Sequence, residues 1–480
     1  MQPAITSTSN IKSLFRKASN VFIIGIGGIG ASALARWLKS EGKKVFGSDA
    51  VYSKITEDLR SEGIGIFIGH SADNIIKESP EIIVASLAVP DDNPEIIRAR
   101  ERSIPILKYP EALGALSNDL DTIAVSGTNG KSTTTALLGL SLLGAMLDPT
   151  ILVGSIIREI GNNFKKGNSQ IAVIEACEYK RAFLNYTPSI GVITNIEADH
   201  LDYYKSLEDI IGAFTDFALN IKKGGRLIIN GDDKNCRSII NVILKNRPDI
   251  SIVRFGKDKS CEFCFSKVRV KNGKNYFSIS EKSGPLIEFY LQIPGEFNIY
   301  NATAVFAAAR AKGASIETTK KTFQSFTGIW RRFERVGEYK GNPVISDYAH
   351  HPSAVEKTIA AAGSFYPKKR IVAVFQPHQH NRTRMLFDDF VKCFDGADVV
   401  IISEIYAVKG RISEEDRKIN SQNLISAMKD RDGEKGRSRE LLYARDLAEA
   451  GNLIRKHAQK NDCILIMGAG DIGELPEKLI

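Results

Sequence analysis

At 480 residues, 43% hydrophobic and 25% charged, the chain is long enough for roughly three domains of ~150 residues each and rich enough in apolar residues for several cores. Its formal charge of +9 is mild over this length, and without a Lys/Arg block it argues against nucleic-acid binding while suiting small anionic substrates. No run of ~20 apolar residues could span a membrane, MQPAITSTSNIKSLFRKASN lacks an apolar signal-peptide core, and six sparse cysteines suit a reducing compartment, so a cytoplasmic protein is expected.

Strand and helix signals alternate from the start. VFIIGIG (21–27), KVFGSD (44–49), IGIFIG (64–69), EIIVASLAV (81–89) and IPILK (104–108) read as buried strands, with ALARWLKS, ITEDLRSEG and NPEIIRARERS as helices between them. Such alternation predicts a parallel, doubly wound sheet over residues 1–120. A second series, 121–329, begins at DTIAVSGTNGKSTTTALLGLSLL and continues through IAVIEA (171–176), IGVITNIEAD (190–199) and GRLIING (225–231). Around 251–295 the turn-punctuated strands predict an antiparallel appendage in the same domain. It is closed by the helix NIYNATAVFAAARAKG and a short SIETTKKTFQSF segment. Cys261-Glu262-Phe263-Cys264 has no second pair at zinc-finger spacing and reads as part of a strand. The third series, 330–480, runs through PVISDYAHH, RIVAVFQPH, DVVIISEIY, ELLYA and DCILIMGAG, with RDGEKGRSRE expected to be an exposed polar loop. The fold class is therefore α/β in three domains: two Rossmann-like units flanking a central one with a mostly parallel sheet and a small antiparallel sheet.

Two glycine turns carry chemistry. Gly25-Ile26-Gly27-Gly28-Ile29-Gly30 follows a strand and precedes a helix, and Asp49 ends the next strand at the spacing of a ribose-binding acid. Small residues there let a diphosphate approach backbone amides at a positive helix end, which fits either a dinucleotide or a UDP-sugar. The second turn, Gly127-Thr128-Asn129-Gly130-Lys131-Ser132-Thr133, lacks the first glycine of G-x-x-x-x-G-K-[ST], which would fall at Val125. Every functional group survives the shortening: glycines freeing inward amides, Lys131 for the β- and γ-phosphates, the Ser132 hydroxyl for Mg²⁺. ATP binding is expected here. Glu175 closes one strand and His200 follows another. Neighbouring parallel strands present these ends on one edge, so Ser132, Glu175 and His200 are the candidate magnesium ligands and Lys131, Glu175 and His200 the candidate catalytic groups.

These motifs in this order resemble the Mur ligases, the ATP-dependent amino-acid ligases of peptidoglycan synthesis. GTNGKST, the strand-end glutamate, TNIEADHLD, GEFNIYNATAVFAAA, RRFERVGE and DYAHHPSAVEKTI carry the resemblance, which runs from Gly25 to 468–472. It implies that Asn298 and Asn301 contact the adenine, Arg332 the ATP phosphates and Asp347 the ribose region; the asparagines, at i and i+3 on one helix face, could equally cap that helix. GHSADNI and ASLAVPDDNPE add His70 and Ser86 to the implied UDP-sugar site. FQPHQHNRTRMLFDDF implies that His378, Arg382 and Arg384 bind the amino acid, with Tyr348 and His351 beside them. These features, and Thr215 where later-step ligases place a lysine, resemble the branch that adds L-alanine to UDP-N-acetylmuramate. Asn129, Gln379 and IYAVKGR (405–411) depart from that branch's pattern; a tripeptide-recycling ligase or a later-step ligase is the alternative within the family. Two other readings are an NAD-dependent oxidoreductase, which leaves the second turn idle, and an ATP-binding switch, which releases no phosphate. The resemblance implies a monomer or homodimer.

Overall fold

The computed structural model describes residues 8–201, 203–407, 415 and 418–480. The chain divides into two compact units: residues 1–264 with 280–284 and 301–322, and residues 265–279 with 285–300 and 323–480.

The first unit opens with the predicted doubly wound sheet. β1 (Asn20–Ile24), β2 (Lys44–Asp49), β3 (Gly65–Ile68), β4 (Ile82–Ala85) and β5 (Ile106–Lys108) lie in the order β3-β2-β1-β4-β5, all parallel. β1 sits centrally because its residues Val21 to Ile24 are apolar and fully buried, as a strand covered on both faces requires. The turn after it delivers helix Ile29–Ser40, whose Ala33 and Trp37 join a core with Leu152 and Phe164 of the next sheet; the Trp37 and Phe164 rings stack at 6.0 Å.

That next sheet contains β6 (Asp121–Ser126), β7 (Thr150–Ile157), β8 (Asn162–Lys165), β9 (Ile171–Glu175), β10 (Ile190–Ile193), β11 (Arg226–Asn230) and β12 (Ser251–Gly256) in the order β12-β11-β10-β6-β9-β7-β8. β6 is flanked by β9 and β10, with Val125 opposite Glu175 and Ser126 opposite Ile193. All three C-terminal ends therefore open on one edge, where helix Lys131–Gly144 begins. Two expectations are corrected here. β12 pairs parallel with β11, and β13 (Phe263–Lys271) enters alongside it in parallel through Phe263 and Cys264, so the antiparallel region starts later than 251. The stretch 190–199 is a strand only to Ile193. From Thr194 onward its polar groups serve the phosphate-loop candidate instead. The β7–β8 pair was not anticipated.

In the second unit β14 (Lys274–Glu281) and β15 (Ile287–Leu291) pair antiparallel from Asn275 opposite Leu291 to Ile279 opposite Ile287. The paired residues of the hairpin belong to this unit, while residues 280–284 at its turn are grouped with the first. β16 (Glu334–Tyr339), β17 (Asn342–Asp347), β18 (Arg370–Phe375), β19 (Val399–Ser403), β20 (Glu440–Ala444) and β21 (Asp462–Met467) form a sheet ordered β16-β17-β21-β18-β19-β20, parallel except for β16. The predicted loop 431–440 is corrected too. Helix Ser421–Glu434 runs into it, and Asp432 and Arg439 form a buried ion pair at 2.6 Å, while residues 433–436 between them are exposed as expected. Residues 408–411 of the 405–411 segment lie outside the described residues. Among the described residues no helix is long and apolar enough to cross a membrane.

Candidate active site

The second glycine turn is built as a cradle. Gly127 has φ +139°, and a Cβ there would lie 1.9 Å from Thr194 Oγ1; Gly130 caps the helix at φ +84°, and its Cβ would meet Asn301 Oδ1 at 2.4 Å. Neither position accepts a side chain. The segment after β10 holds the loop by its polar groups. Thr194 Oγ1 and Asn195 Nδ2 donate to Asn129 O at 2.6 and 2.9 Å, Asn195 Oδ1 accepts from Asn129 N at 2.9 Å, and Glu197 N donates to Thr128 Oγ1 at 2.8 Å. The Asn129 side chain donates to Glu197 Oε2 at 3.2 Å. Thr133, in the first helical turn, is buried.

Lys131 curls back over the turn. Its Nζ donates to Gly127 O at 2.6 Å, Thr128 O at 3.0 Å and Glu178 Oε1 at 2.8 Å. Burial alone would lower the lysine pKa, but the Glu178 carboxylate outweighs it and the net shift is upward. Burial likewise would raise Glu178, and Lys131 and His200 instead hold it below the usual carboxylate range. Both groups are charged at neutral pH. His200, at φ +53°, places Nε2 3.6 Å from Glu178 Oε1 and its ring 4.7 Å from that of Tyr179. Ser132 Oγ donates to Glu175 Oε1 at 3.0 Å, and Glu175 Oε2 accepts from Gly154 N at 2.6 Å. Two hard oxygens thus converge beside the lysine. Among the described residues no three His, Cys, Asp or Glu side chains are grouped to hold a metal. Mg²⁺ suits such a pair, because it usually takes one or two protein oxygens and completes its octahedron with phosphate and water.

The first glycine turn, Gly25–Gly30 in the same unit, has no lysine or arginine in its own sequence. Gly25 N and Ile26 N donate to Ser48 O, and Asp49 Oδ2 accepts from Gly27 N at 2.8 Å, so the predicted ribose acid also closes the turn. Gly28 precedes helix Ile29–Ser40, and a Cβ on Gly30 would meet the Tyr109 hydroxyl at 2.8 Å. Ser86 N donates to Ile24 O, bringing the Ser86–Leu87 loop beside Gly25. His70 Nδ1 lies 2.9 Å from Glu95 Oε2 and 3.0 Å from Ser48 Oγ, while Asn74 Nδ2 donates to Glu95 Oε1 at 2.7 Å.

In the second unit, Asp347 Oδ2 accepts from Phe333 N and Oδ1 from Ala349 N, both at 2.7 Å. Burial pushes its carboxyl up, against the pull of Arg332 and these two donors. The Arg331 and Arg332 guanidiniums lie 5.1 and 5.2 Å from the Tyr348 ring. Tyr348, His350, His378 and Tyr406 form a chain of rings at 5.3, 6.3 and 5.4 Å, the last pair parallel to within 9°. His351 caps helix Pro352–Phe365, its Nδ1 accepting from Ser353 N at 3.4 Å. Arg382 Nη1 lies 3.4 Å from His378 O, and Arg384 is exposed. Asn298 Nδ2 donates to Pro294 O at 2.7 Å.

Three family models match in chain order: Mur ligase family, catalytic domain, over residues 20–120; Mur ligase middle domain over 125–309; and Mur ligase, glutamate ligase domain, over 331–470. The chain belongs to the Mur ligase family. A UDP-N-acetylmuramate--L-alanine ligase from Alkaliphilus metalliredigens is 39% identical over 96% of this chain and 97% of its own. Among solved structures, a UDP-N-acetylmuramate-alanine ligase from Thermotoga maritima superposes with a TM-score of 0.80 at 28% identity, covering 96% and 98%. A murein peptide ligase from Psychrobacter arcticus gives 0.70 at 23% identity over 96% and 97%, a likeness of fold.

In this Mur ligase the structure brings Gly127 to Thr133, Glu175, His200 and Asn301 together, and the Gly25–Gly30 turn, Asp49 and Ser86 together, with His70 tied to Ser48 at the end of β2. Asn298, Arg332, Asp347, Tyr348, His351, His378, Arg382 and Arg384 all lie in the second unit. Sequence reasoning missed Glu178, Asn195, Glu95 and Tyr406. A signal for Glu178 existed: a cation drawn into a turn needs a carboxylate, and EACEYK offers one just past the neighbouring strand end.

Proposed function

We propose that this chain joins L-alanine to the lactyl carboxylate of UDP-N-acetylmuramate at the expense of ATP. The observation that carries the chemistry is Lys131, held charged by Glu178 at the head of a glycine turn, beside the Ser132–Glu175 pair. In this reading residues 1–120 take the UDP-sugar, 121–329 take ATP and 330–480 the amino acid, in the cytoplasm where all three are found.

A carboxylate is a poor acyl donor, and transfer of the γ-phosphoryl group converts it to an acyl phosphate. That transfer loads charge on the equatorial phosphoryl oxygens, where the Lys131 ammonium and the loop amides are aimed. A magnesium ion on Ser132 and Glu175 would neutralise further triphosphate charge. Binding ATP draws Lys131 from its carbonyl contacts toward phosphate, while Glu178 keeps it protonated. The alanine amine then attacks the acyl carbon and inorganic phosphate leaves. His378 and Arg382, with the stacked Tyr406, would position the amino acid, the guanidinium matching its carboxylate. Asn301, which lies against Gly130, would meet the nucleotide.

The test is a panel measuring phosphate release with UDP-N-acetylmuramate and L-alanine, glycine, L-serine or the L-alanyl tripeptide. Fastest release with L-alanine is expected. Preference for the tripeptide would move the chain to the recycling branch, and no release with any acceptor would end the ligase reading.

A further inference from the structure

The turn that follows Glu178 is bent in an unusual way. Lys180 and Arg181 are consecutive non-glycine residues in the left-handed region, at φ +51° and +55°. Left-handed backbone is costly for an L-residue and persists only where surroundings enforce it. Both residues have such surroundings on either side. Glu178 is bound to Lys131 and Tyr179 packs on His200. Arg181 bridges Asp209 at 2.6 Å and Asp216 at 3.2 Å, with its guanidinium over Tyr204.

Lys180 is the exception. Its ammonium is exposed and lies over the ring of the neighbouring Tyr179, 5.5 Å from the centroid. Its Nζ donates to Leu87 O at 3.1 Å, in the loop that packs against the first glycine turn. That loop is the one whose Ser86 N bonds Ile24 O and whose Ser86 Cβ would touch a Cβ on Gly25 at 3.0 Å. This exposed ammonium is held by a neutral carbonyl and an aromatic face, beside a turn shaped for a diphosphate whose own residues, Gly25–Gly30, include no lysine or arginine, and among the described residues it has no anionic partner.

We infer that Lys180 is a binding residue for the anionic portion of a nucleoside-diphosphate sugar held at the Gly25–Gly30 turn, supplied across from the ATP-binding sheet. This rests on the UDP-sugar reading of that turn. It also gives the strained pair a purpose: the same short segment places Glu178 on the phosphoryl-transfer lysine and Lys180 at the acceptor, so the two substrates are registered to each other by three residues of chain.

Calorimetric titration of the full chain with UDP-N-acetylmuramate, and separately with ATP, tests the assignment in wild type, Lys180→Gln, Lys180→Gly and Lys180→Arg. Glycine relieves the backbone strain, so a loss shared by the glutamine and glycine variants reports the missing charge. The expected result is roughly tenfold or greater weakening for the UDP-sugar in both, as for one charge-assisted contact, with affinity within about threefold of wild type for arginine and unchanged ATP affinity in all. Unaltered UDP-sugar affinity in the glutamine and glycine variants, or an equal loss of ATP affinity, overturns the role of Lys180 alone. Absence of UDP-sugar binding by the wild-type chain overturns the functional reading itself, and this assignment with it.

Discussion

The two glycine turns of the first unit solve the same backbone problem and differ in one charge. Each follows a buried parallel strand, opens at the C-terminal edge of its sheet and feeds a helix. At Gly25–Gly30 the ionic group bonded to the turn is an acid, Asp49 on Gly27 N. At Gly127–Ser132 a lysine enters the turn, and an acid from the neighbouring strand end keeps it charged. Backbone amides and a helix terminus are enough to hold a phosphate. Stabilising a phosphoryl group in transit takes a fixed cation as well, so under the proposed function the comparison separates a holding site from a reacting one.

The largest test of that contrast is Lys131→Ala. Ligation should fall by about 10³-fold or more in kcat/KM, as expected when a fixed charge aimed at the transition state is removed, while UDP-sugar affinity stays within about threefold. Near-normal turnover would erase the distinction between the turns.

Glu178→Gln comes next, and it acts through stability and pH. Removing one partner of a buried pair costs about 3 kcal/mol because the other charge is left uncompensated. Lys131 is raised above its ordinary 10.5, so its contribution is whole below that pH and disappears as pH climbs through the raised value. Glu178 is lowered below its ordinary 4.5, so its contribution is whole above that pH and disappears as pH falls through the lowered value. Denaturant midpoints of wild type and variant should therefore differ most between about pH 5 and pH 10 and converge toward either extreme. A gap that does not depend on pH would mean the pair is not ionised as described.

How much of this could be read beforehand follows from the same residues. The cradle was legible because glycine and lysine identities are themselves the mechanism: φ of +139° and +84° at Gly127 and Gly130 leave little choice of residue. Glu175 was legible as a strand end. Glu178 was legible only as a carboxylate near the strand end, because its pairing with Lys131 is set by the register that puts Val125 opposite Glu175 and by the left-handed turn beyond, neither of which has a local pattern. The strand over 190–199 was overextended for a related reason. TNIEAD carries apolar residues at strand-like spacing, yet Thr194 and Asn195 gain more by bonding Asn129. Within 431–440 polarity misled only at one pair: Asp432 and Arg439 neutralise each other, and a pair can be buried where either alone could not.

Asp49→Ala sharpens the comparison from the other turn. Losing the acid frees Gly27 N and removes a candidate ribose acceptor, so KM for UDP-N-acetylmuramate should rise about tenfold, the scale of a hydrogen bond to a charged group, with KM for ATP unchanged. A matching rise for ATP would mean the first turn is not a separate holding site.

The smallest effect is expected at Asn301→Ala. The carboxamide lies against Gly130 from the helix Glu296–Ala311, so it buttresses the second turn without supplying charge to it. One neutral hydrogen bond is worth about 1 kcal/mol, or roughly fivefold in an equilibrium constant. KM for ATP should rise by that factor, kcat should change less, and KM for the UDP-sugar should not move. If kcat instead fell as far as in Lys131→Ala, the second turn would depend on its buttress as much as on its cation, and a single charge would no longer distinguish the two sites.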